Sequence, residues 1–224
     1  MPRGVLALLL ALVAVPAFAQ TPDSDRITDF RVDVAIGSDG ALTETETIAI
    51  HVVGTLVKHG IWRDFVSRTA DAGDIEFRRV TLDGADAPYA LTHQAGTAHL
   101  RIGDPDKRVA PGGHVYAISY VARKQLVDHD GLTLALNVSG TWTMPVDRTS
   151  MTVHLPAGSA VQDAGAIVEG GENPGTTIPA EHSDDGTLHF SDAAPLETGE
   201  SLVVSIHFTN DAIHAGPLPE HSPP

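Results

Sequence analysis

Apolar and polar residues alternate with a period of two along most of the chain. The first such run extends from Asp29 to Ile36, and the second extends from Leu42 to Val52. Between them lies Asp39-Gly40, a turn sequence that strongly indicates a β-hairpin. Alternation of this kind is typical of strands with one buried face. The pattern recurs at 98–102, 132–138, 151–155 and 202–208.

The pattern predicts an all-β fold, an antiparallel β-sandwich of immunoglobulin-like architecture with little helix. The segment Val115–Ala122 is apolar on both phases, which predicts a central strand covered on both faces. Residues 20–209 are expected to form one domain. Within it, residues 162–186 contain few apolar side chains and are predicted to be a long loop. Residues 210–224 are predicted to be a flexible, proline-rich tail.

The N-terminus has the three regions of a secretory signal peptide. Arg3 supplies a positive charge, and an uninterrupted apolar run extends from Val5 to Val15. The run is shorter than the roughly 20 residues that a spanning helix needs. Ala17-Phe18-Ala19 then matches the small-x-small cleavage pattern. We therefore expect residues 1–19 to be removed and the protein to be exported. Its expected location is periplasmic or extracellular, either free or associated with a membrane.

Composition adds to this picture and excludes one class of partner. The chain contains no cysteine, so neither disulfides nor thiol chemistry contribute to it. Its 29 acidic and 14 basic residues give a formal net charge of −15. A field of this sign repels nucleic acid, and no basic block argues against that conclusion. The scattered acidic residues indicate a solubilising surface.

A series of short motifs follows the opening hairpin in a fixed order. It begins with His59-Gly60-Ile61-Trp62-Arg63-Asp64-Phe65 and continues with Val80-Thr81-Leu82-Asp83-Gly84, Pro88-Tyr89, Ile102-Gly103-Asp104, the YAISY segment at Tyr116–Tyr120, Leu136-Asn137-Val138-Ser139-Gly140-Thr141-Trp142, Met144-Pro145-Val146 and Val153-His154-Leu155-Pro156. In order and spacing the set resembles domain of unknown function 2207, the extracytoplasmic domain of a family of predicted bacterial and archaeal membrane proteins. The resemblance covers roughly Ile27 to Phe208.

The resemblance implies a domain located between a signal sequence and membrane helices. No apolar stretch of spanning length follows Phe208 here, so we expect either a secreted form or a reading frame that stops early. Membrane association is thus expected from the family, although this chain offers no transmembrane helix of its own. The family has no established activity or catalytic residues to carry over.

Two glutamates of the second predicted strand lie on its apolar phase. Glu44 and Glu46 share that phase with Leu42, Ile48 and other core residues. Because an unpaired buried charge costs several kcal/mol, a carboxylate there needs a partner. We predict a structural ion pair between Glu46 and Arg63 and expect Glu44 to be solvated. The alternative is that this end of the strand projects beyond the opposite sheet and leaves both glutamates in water.

Four residues are candidate binding residues: Trp62, Arg63, Asp64 and Trp142. Each tryptophan lies at a predicted junction between strand and loop. Core packing is the common role of a lone tryptophan in a sandwich, and a platform for a glycan or a peptide is the functional alternative.

The sequence contains no catalytic motif, no metal-ligand spacing and no cofactor motif. Its twelve histidines have neither helical nor strand-like ligand spacing, and surface histidines are the default interpretation. Two functions from different classes remain. The first is a non-catalytic envelope module that binds a protein, a glycan or another ligand, normally tied to a membrane protein. The second is a hydrolase of envelope polymers whose site is assembled from separated loops.

Overall fold

A computed structural model describes residues 24–66, 74–94, 96–128, 130–171, 175, 177–183, 185–192 and 194–213. The predicted signal peptide at 1–19 lies outside these residues, as do residues 214–224 of the predicted tail. The first residues of that tail are not flexible as predicted, because Ile213 is 5 % exposed and belongs to the hydrophobic core. No α-helix occurs among the described residues. The strands, in chain order, are β1 (Arg26–Ile36), β2 (Leu42–Val52), β3 (Ile61–Val66), β4 (Ile75–Leu82), β5 (Ala85–Asp86), β6 (Tyr89–Gln94), β7 (Thr97–Ile102), β8 (Gly112–Ala122), β9 (Leu126–Asp128), β10 (Leu132–Asn137), β11 (Thr149–His154), β12 (Ala160–Glu169), β13 (Thr177–Pro179), β14 (Glu181–His182), β15 (Thr187–Asp192) and β16 (Ser201–Thr209).

The strands form three sheets that share one hydrophobic core. The largest has the order β14-β15-β11-β1-β2-β8-β4-β5, the second β13-β12-β16-β10-β9, and the third β3-β7-β6. Buried side chains from all three sheets form one contiguous cluster. The small sheet packs on the large one through Phe65 of β3, whose ring meets Phe77 and Tyr120 edge-on at centroid distances of 5.0 and 4.9 Å. The predicted all-β sandwich is confirmed.

The opening hairpin forms as its sequence predicts. β1 and β2 pair antiparallel up to Ile36 opposite Leu42. Gly40 has φ +75°, a left-handed conformation that glycine adopts readily. The side chain of Asp39 accepts a hydrogen bond from the backbone N–H of Ala41 at 3.1 Å and so stabilises the turn.

One ladder of the antiparallel sandwich is parallel and one expectation about the strands is wrong. The ladder between β1 and β11 is the parallel one, with Phe30 opposite Thr149. The predicted loop at 162–186 contains most of β12. This strand pairs antiparallel with β16, from Ala160 opposite Thr209 to Glu169 opposite Ser201. Only Ala166 and Val168 of β12 are buried, so its apolar alternation is too weak to identify a strand from the sequence.

Candidate functional site

The edge of the small sheet borders a cleft of about 830 Å³. One side is the unbroken run from Gly60 to Val66, which includes all of β3. The facing side is formed by β10 and the loop that follows it, including Leu136, Val138 and Gly140. The base is formed by side chains of the large sheet: Glu44 and Glu46 from β2, and Tyr120 from β8.

Arg63 forms a two-pronged ion pair with Glu46 at the base of this cleft. Its Nε donates to Oε2 and its Nη2 to Oε1 of the glutamate, both at 2.8 Å. The two residues are 6 and 1 % exposed. This fork geometry suits a guanidinium and a carboxylate, and it is among the stronger hydrogen-bonded pairs in proteins. Arg63 is therefore engaged within the fold and is not free to bind a ligand.

The surroundings of Arg63 fix its side chain in place. Nη2 also donates to the carbonyl oxygen of Val138 at 3.0 Å, and the guanidinium lies 5.0 Å from the ring centroid of Phe65. Gly140 has φ +66°, and a Cβ at that position would lie 2.0 Å from Nη1. Glycine is thus required there both for its backbone conformation and for the space that Arg63 occupies.

Glu44 is buried, contrary to the expectation that it is solvated. It is 4 % exposed, and its Oε2 accepts a hydrogen bond from the Tyr120 hydroxyl at 2.9 Å. The same hydroxyl lies 3.1 Å from Oε1 of Glu46. Burial, reinforced by the two carboxylates, holds the pKa of Tyr120 well above its usual value, so the hydroxyl keeps its proton and donates it. Glu44 was misplaced because Tyr120, its partner, is 76 residues away in sequence.

The base of the cleft carries one more carboxylate than the arginine can neutralise. Burial raises the pKa of Glu44 to about 7, the bond from Tyr120 opposes this, and the charge of Glu46 adds to it. Burial alone would lower the pKa of Arg63, but the attraction of Glu46 outweighs it and keeps the guanidinium charged. Near neutral pH the cluster therefore changes between no net charge and one negative charge.

We expect Glu44→Gln to flatten the pH dependence of stability. The pKa of Glu44 rises from an ordinary 4.5 to about 7 on folding, so the folded state binds more protons between these values. Stability from this group is therefore greatest below pH 4.5 and is lost as the pH rises through 7, by roughly 3 kcal/mol in all. Urea unfolding of both proteins from pH 5 to 8 measures the difference.

Glu76→Gln is the matched control, because Glu76 is an exposed strand residue that pairs with Arg78 and Arg123 at the surface. It removes the same charge and should leave the pH profile of the wild-type protein unchanged. Parallel profiles for wild type and Glu44→Gln would contradict the pKa assigned to Glu44.

The opening of the cleft exposes apolar side chains. Trp62 is 61 % exposed, Val66 is 74 % exposed and Leu56 is 54 % exposed. Asp64 lies between the first two on the outer face of β3, where its Oδ1 is 2.8 Å from Nδ1 of His99. Of the candidate binding residues, Trp62 and Asp64 are therefore accessible.

Trp142 has the other role open to a tryptophan in a sandwich. It is 7 % exposed and packs edge-on against Phe30, with ring centroids 6.1 Å apart. Its indole N–H donates to the carbonyl oxygen of Ser139 at 2.7 Å. Trp142 thus borders the cleft from within the core and supports the loop that faces β3.

Asp25 holds the segment that contains Leu56 and Val57, two residues that border the cleft. Asp25 was not identified from the sequence. Its carboxylate accepts hydrogen bonds from the backbone N–H groups of Val53, Gly54, Leu56 and Val57. Burial alone would raise its pKa, but these four bonds hold the pKa well below its usual range. In the sequence Asp25 is a single aspartate directly before a strand, and this arrangement is too common to indicate a structural role.

Within the described part of the chain, no three His, Cys, Asp or Glu side chains are grouped as a metal site would require. Several histidines instead pair with aspartates at the surface. Nδ1 of His114 donates to Oδ2 of Asp83 at 2.8 Å, and this bond raises the pKa of the histidine. These histidines have structural partners in the sheets.

A family model described as "Predicted membrane protein (DUF2207) N-terminal domain" matches residues 26–208. The chain belongs to this family, whose motifs were recognised above in the sequence. None of the described residues forms a helix capable of crossing a lipid bilayer.

One relative is the uncharacterized protein YciQ of Escherichia coli K12. It is 25 % identical over 166 residues, which cover 68 % of this chain and 26 % of the relative. The chain thus matches about a quarter of the length of that protein.

Solved structures with a similar fold include native yeast LTA4 hydrolase and a putative protease from Parabacteroides distasonis. The match to the first has a TM-score of 0.51 at 10 % identity. It covers 83 % of this chain and 29 % of the yeast enzyme. The second has a TM-score of 0.51 at 9 % identity and covers 84 % and 41 %. At these identities the likeness concerns the fold alone.

Proposed function

We propose that this domain is an exported, non-catalytic binding module of a membrane protein, and that it holds its ligand in the cleft beside β3. The observation that carries the proposal is the cleft itself, about 830 Å³ in volume and open between two sheets. Sites of this size, largely apolar with a few converging polar groups, are typical of ligand binding. Membership in a family of predicted membrane proteins and the N-terminal signal pattern support an extracytoplasmic location.

The state of the polar groups supports binding over catalysis. Glu46 and Arg63 bond to each other, so these two side chains are engaged within the protein. The accessible groups at the opening are Trp62 and Asp64. An exposed tryptophan beside a cleft is a frequent anchor in recognition sites.

Hydrolysis of an envelope polymer is the second candidate. The feature that favours it is the position of Glu44 at the base of the cleft, where burial raises its pKa to about 7, since a general acid or base works best near the ambient pH. LTA4 hydrolase and the putative protease, which have similar folds, are both named for hydrolysis. The match covers less than half of the length of either protein.

The test is a titration of the 15N-labelled domain with two probes, soluble muropeptides and short synthetic peptides, followed by NMR. We expect shifts to concentrate on β3 and on the loop around Gly140. Trp62→Ala should weaken binding by about thirty-fold, the effect of removing a central aromatic anchor. Mass spectrometry of each recovered probe tests for turnover.

Tyr89→Ala is the matched control. Tyr89 is an exposed aromatic on β6, at the far edge of the same sheet, and is 48 % exposed. Its replacement should leave affinity unchanged. Shifts located away from the cleft, or no binding of either probe, would refute the module. Cleavage of a probe that disappears in Glu44→Gln would establish the hydrolase instead.

A further inference from the structure

One edge of β3 pairs with none of the described strands. Building on the proposed binding function, we infer that the ligand is an extended peptide that adds to β3 as a fourth strand and directs a basic side chain toward Glu44. The protein would then recognise backbone groups along the edge and one positive charge at the base of the cleft. This mode of recognition is known as β-augmentation.

β3 offers an edge that is open to pairing. It pairs with β7 along its whole length, from Ile61 opposite Ile102 to Val66 opposite Thr97. Among the described residues no strand pairs with its other edge. Every residue from Gly60 to Val66 borders the cleft, although successive side chains of a strand point to opposite faces. The cleft must therefore run alongside the edge, where backbone N–H and C=O groups project.

This edge carries only part of the usual protection against pairing. Proline, lysine and a bulge, which commonly protect edge strands, are absent from β3, whose sequence is IWRDFV and whose register with β7 is regular. An inward-pointing charge is another such device, but the charge of Arg63 is paired with Glu46 within the fold. The outer face of β3 exposes Trp62 and Val66, which are 61 and 74 % exposed. A partner strand would cover these two large apolar side chains.

The charges around the cleft favour a cationic side chain. Glu44 and Glu46 face a single guanidinium, so one negative charge remains when Glu44 is ionised. Glu44 borders the cleft, and its Oε2 accepts a hydrogen bond from Tyr120. Asp64 adds a carboxylate at the opening, where its side chain is 58 % exposed. The whole chain carries a net charge of −15, which also attracts basic ligands.

The alternation of β3 gives the sequence pattern of the peptide. Ile61, Arg63 and Phe65 point inward, and the residues between them point outward. An added strand alternates in the same way, so its inward side chains lie beside those three. We expect a lysine or arginine at one inward position, flanked two residues away by apolar side chains, and neutral polar residues between them.

The probe is the acetylated and amidated hexapeptide Val-Thr-Lys-Thr-Val-Ser. Its affinity for the intact chain is measured by NMR titration, along with a second peptide in which norleucine replaces lysine. We expect the lysine peptide to bind at least about ten-fold more tightly, as a charge-assisted bond provides. Glu44→Gln should remove this preference, so that the two peptides bind the variant with similar affinities. Glu76→Gln should preserve the preference.

Two N-methylated forms of the lysine peptide test the strand itself. One carries methyl groups on the amides of the first, third and fifth residues, and the other on those of the second and fourth. Since alternate amides of an edge strand face its neighbour, one form should lose binding while the other retains it. Equal binding of both forms would overturn strand addition.

The remaining outcomes separate this inference from the proposed function. Binding of muropeptides in the cleft without binding of the peptides overturns the inference and leaves the module intact. Binding of neither probe refutes both. A dimer that forms through β3, detected by sedimentation and abolished by Trp62→Ala, would make a second copy of the chain the occupant and would also overturn the inference.

Discussion

Replacing Arg63 by methionine should lower the free energy of unfolding by roughly 3–5 kcal/mol, the cost of stranding a buried charge. Methionine fills part of the space but leaves Glu44 and Glu46 with no cation, at 4 and 1 % exposure. It also removes the donor to the carbonyl oxygen of Val138. Denaturant unfolding monitored by circular dichroism measures the loss.

Glu46→Gln and the double variant complete a mutant cycle. Glu46→Gln should cost less than Arg63→Met, because Glu44 remains near the guanidinium and compensates in part for the lost charge. The double variant should cost less than the sum of the single changes, with a coupling above about 1 kcal/mol. Additive effects, each below about 1 kcal/mol, would describe a solvated pair and contradict the buried geometry.

Asp25→Ala should lower stability by about 3–4 kcal/mol, since several backbone N–H groups lose a charged acceptor together. Asp25 is 0 % exposed and binds the segment from Val53 to Val57. Its pKa is depressed in the folded state, so the stability it contributes is present above its unfolded pKa of about 3.9 and is lost as the pH falls below it. The gap between wild type and variant should therefore narrow in acid.

Asp39→Ala is the control for this prediction. Asp39 also accepts a backbone hydrogen bond, from Ala41, but lies in an exposed turn. Its loss should cost less than about 1 kcal/mol. A gap between wild type and Asp25→Ala that stays constant down to pH 2 would show that the carboxylate of Asp25 is not the group responsible.

The sequence was informative wherever a strand had one clearly apolar face. In β2 the phase shared by Ile48 and Glu46 indicates that the carboxylate points inward, and the structure places Arg63 against it. Glu44 lies on the same apolar phase of β2. Its partner Tyr120 could not be identified without the register between β2 and β8, which places the two residues opposite each other. Register between distant strands depends on the three-dimensional fold and not on local pattern.

For two strands, β8 and β12, the apolar pattern gave a wrong prediction. β8 was expected to be covered on both faces because both of its phases are apolar. It is central, between β2 and β4, but Val115 is 42 % exposed. β12 was missed because alanine and glycine carry little of the apolar signal. The cleft was likewise beyond prediction, because it is formed by β3 and β10 from different sheets.

The parallel pairing of β1 with β11 has a consequence for the order of folding. β1 can form its hairpin with β2 as soon as both have been synthesised, but its other edge pairs with Thr149–His154. Contacts this distant in sequence are associated with slow folding, because a long loop must close before they form. A growing chain therefore presents an incomplete sheet, with one edge of β1 unsatisfied, until most of the domain has been made. An unpaired strand edge of this kind makes a folding intermediate prone to aggregation.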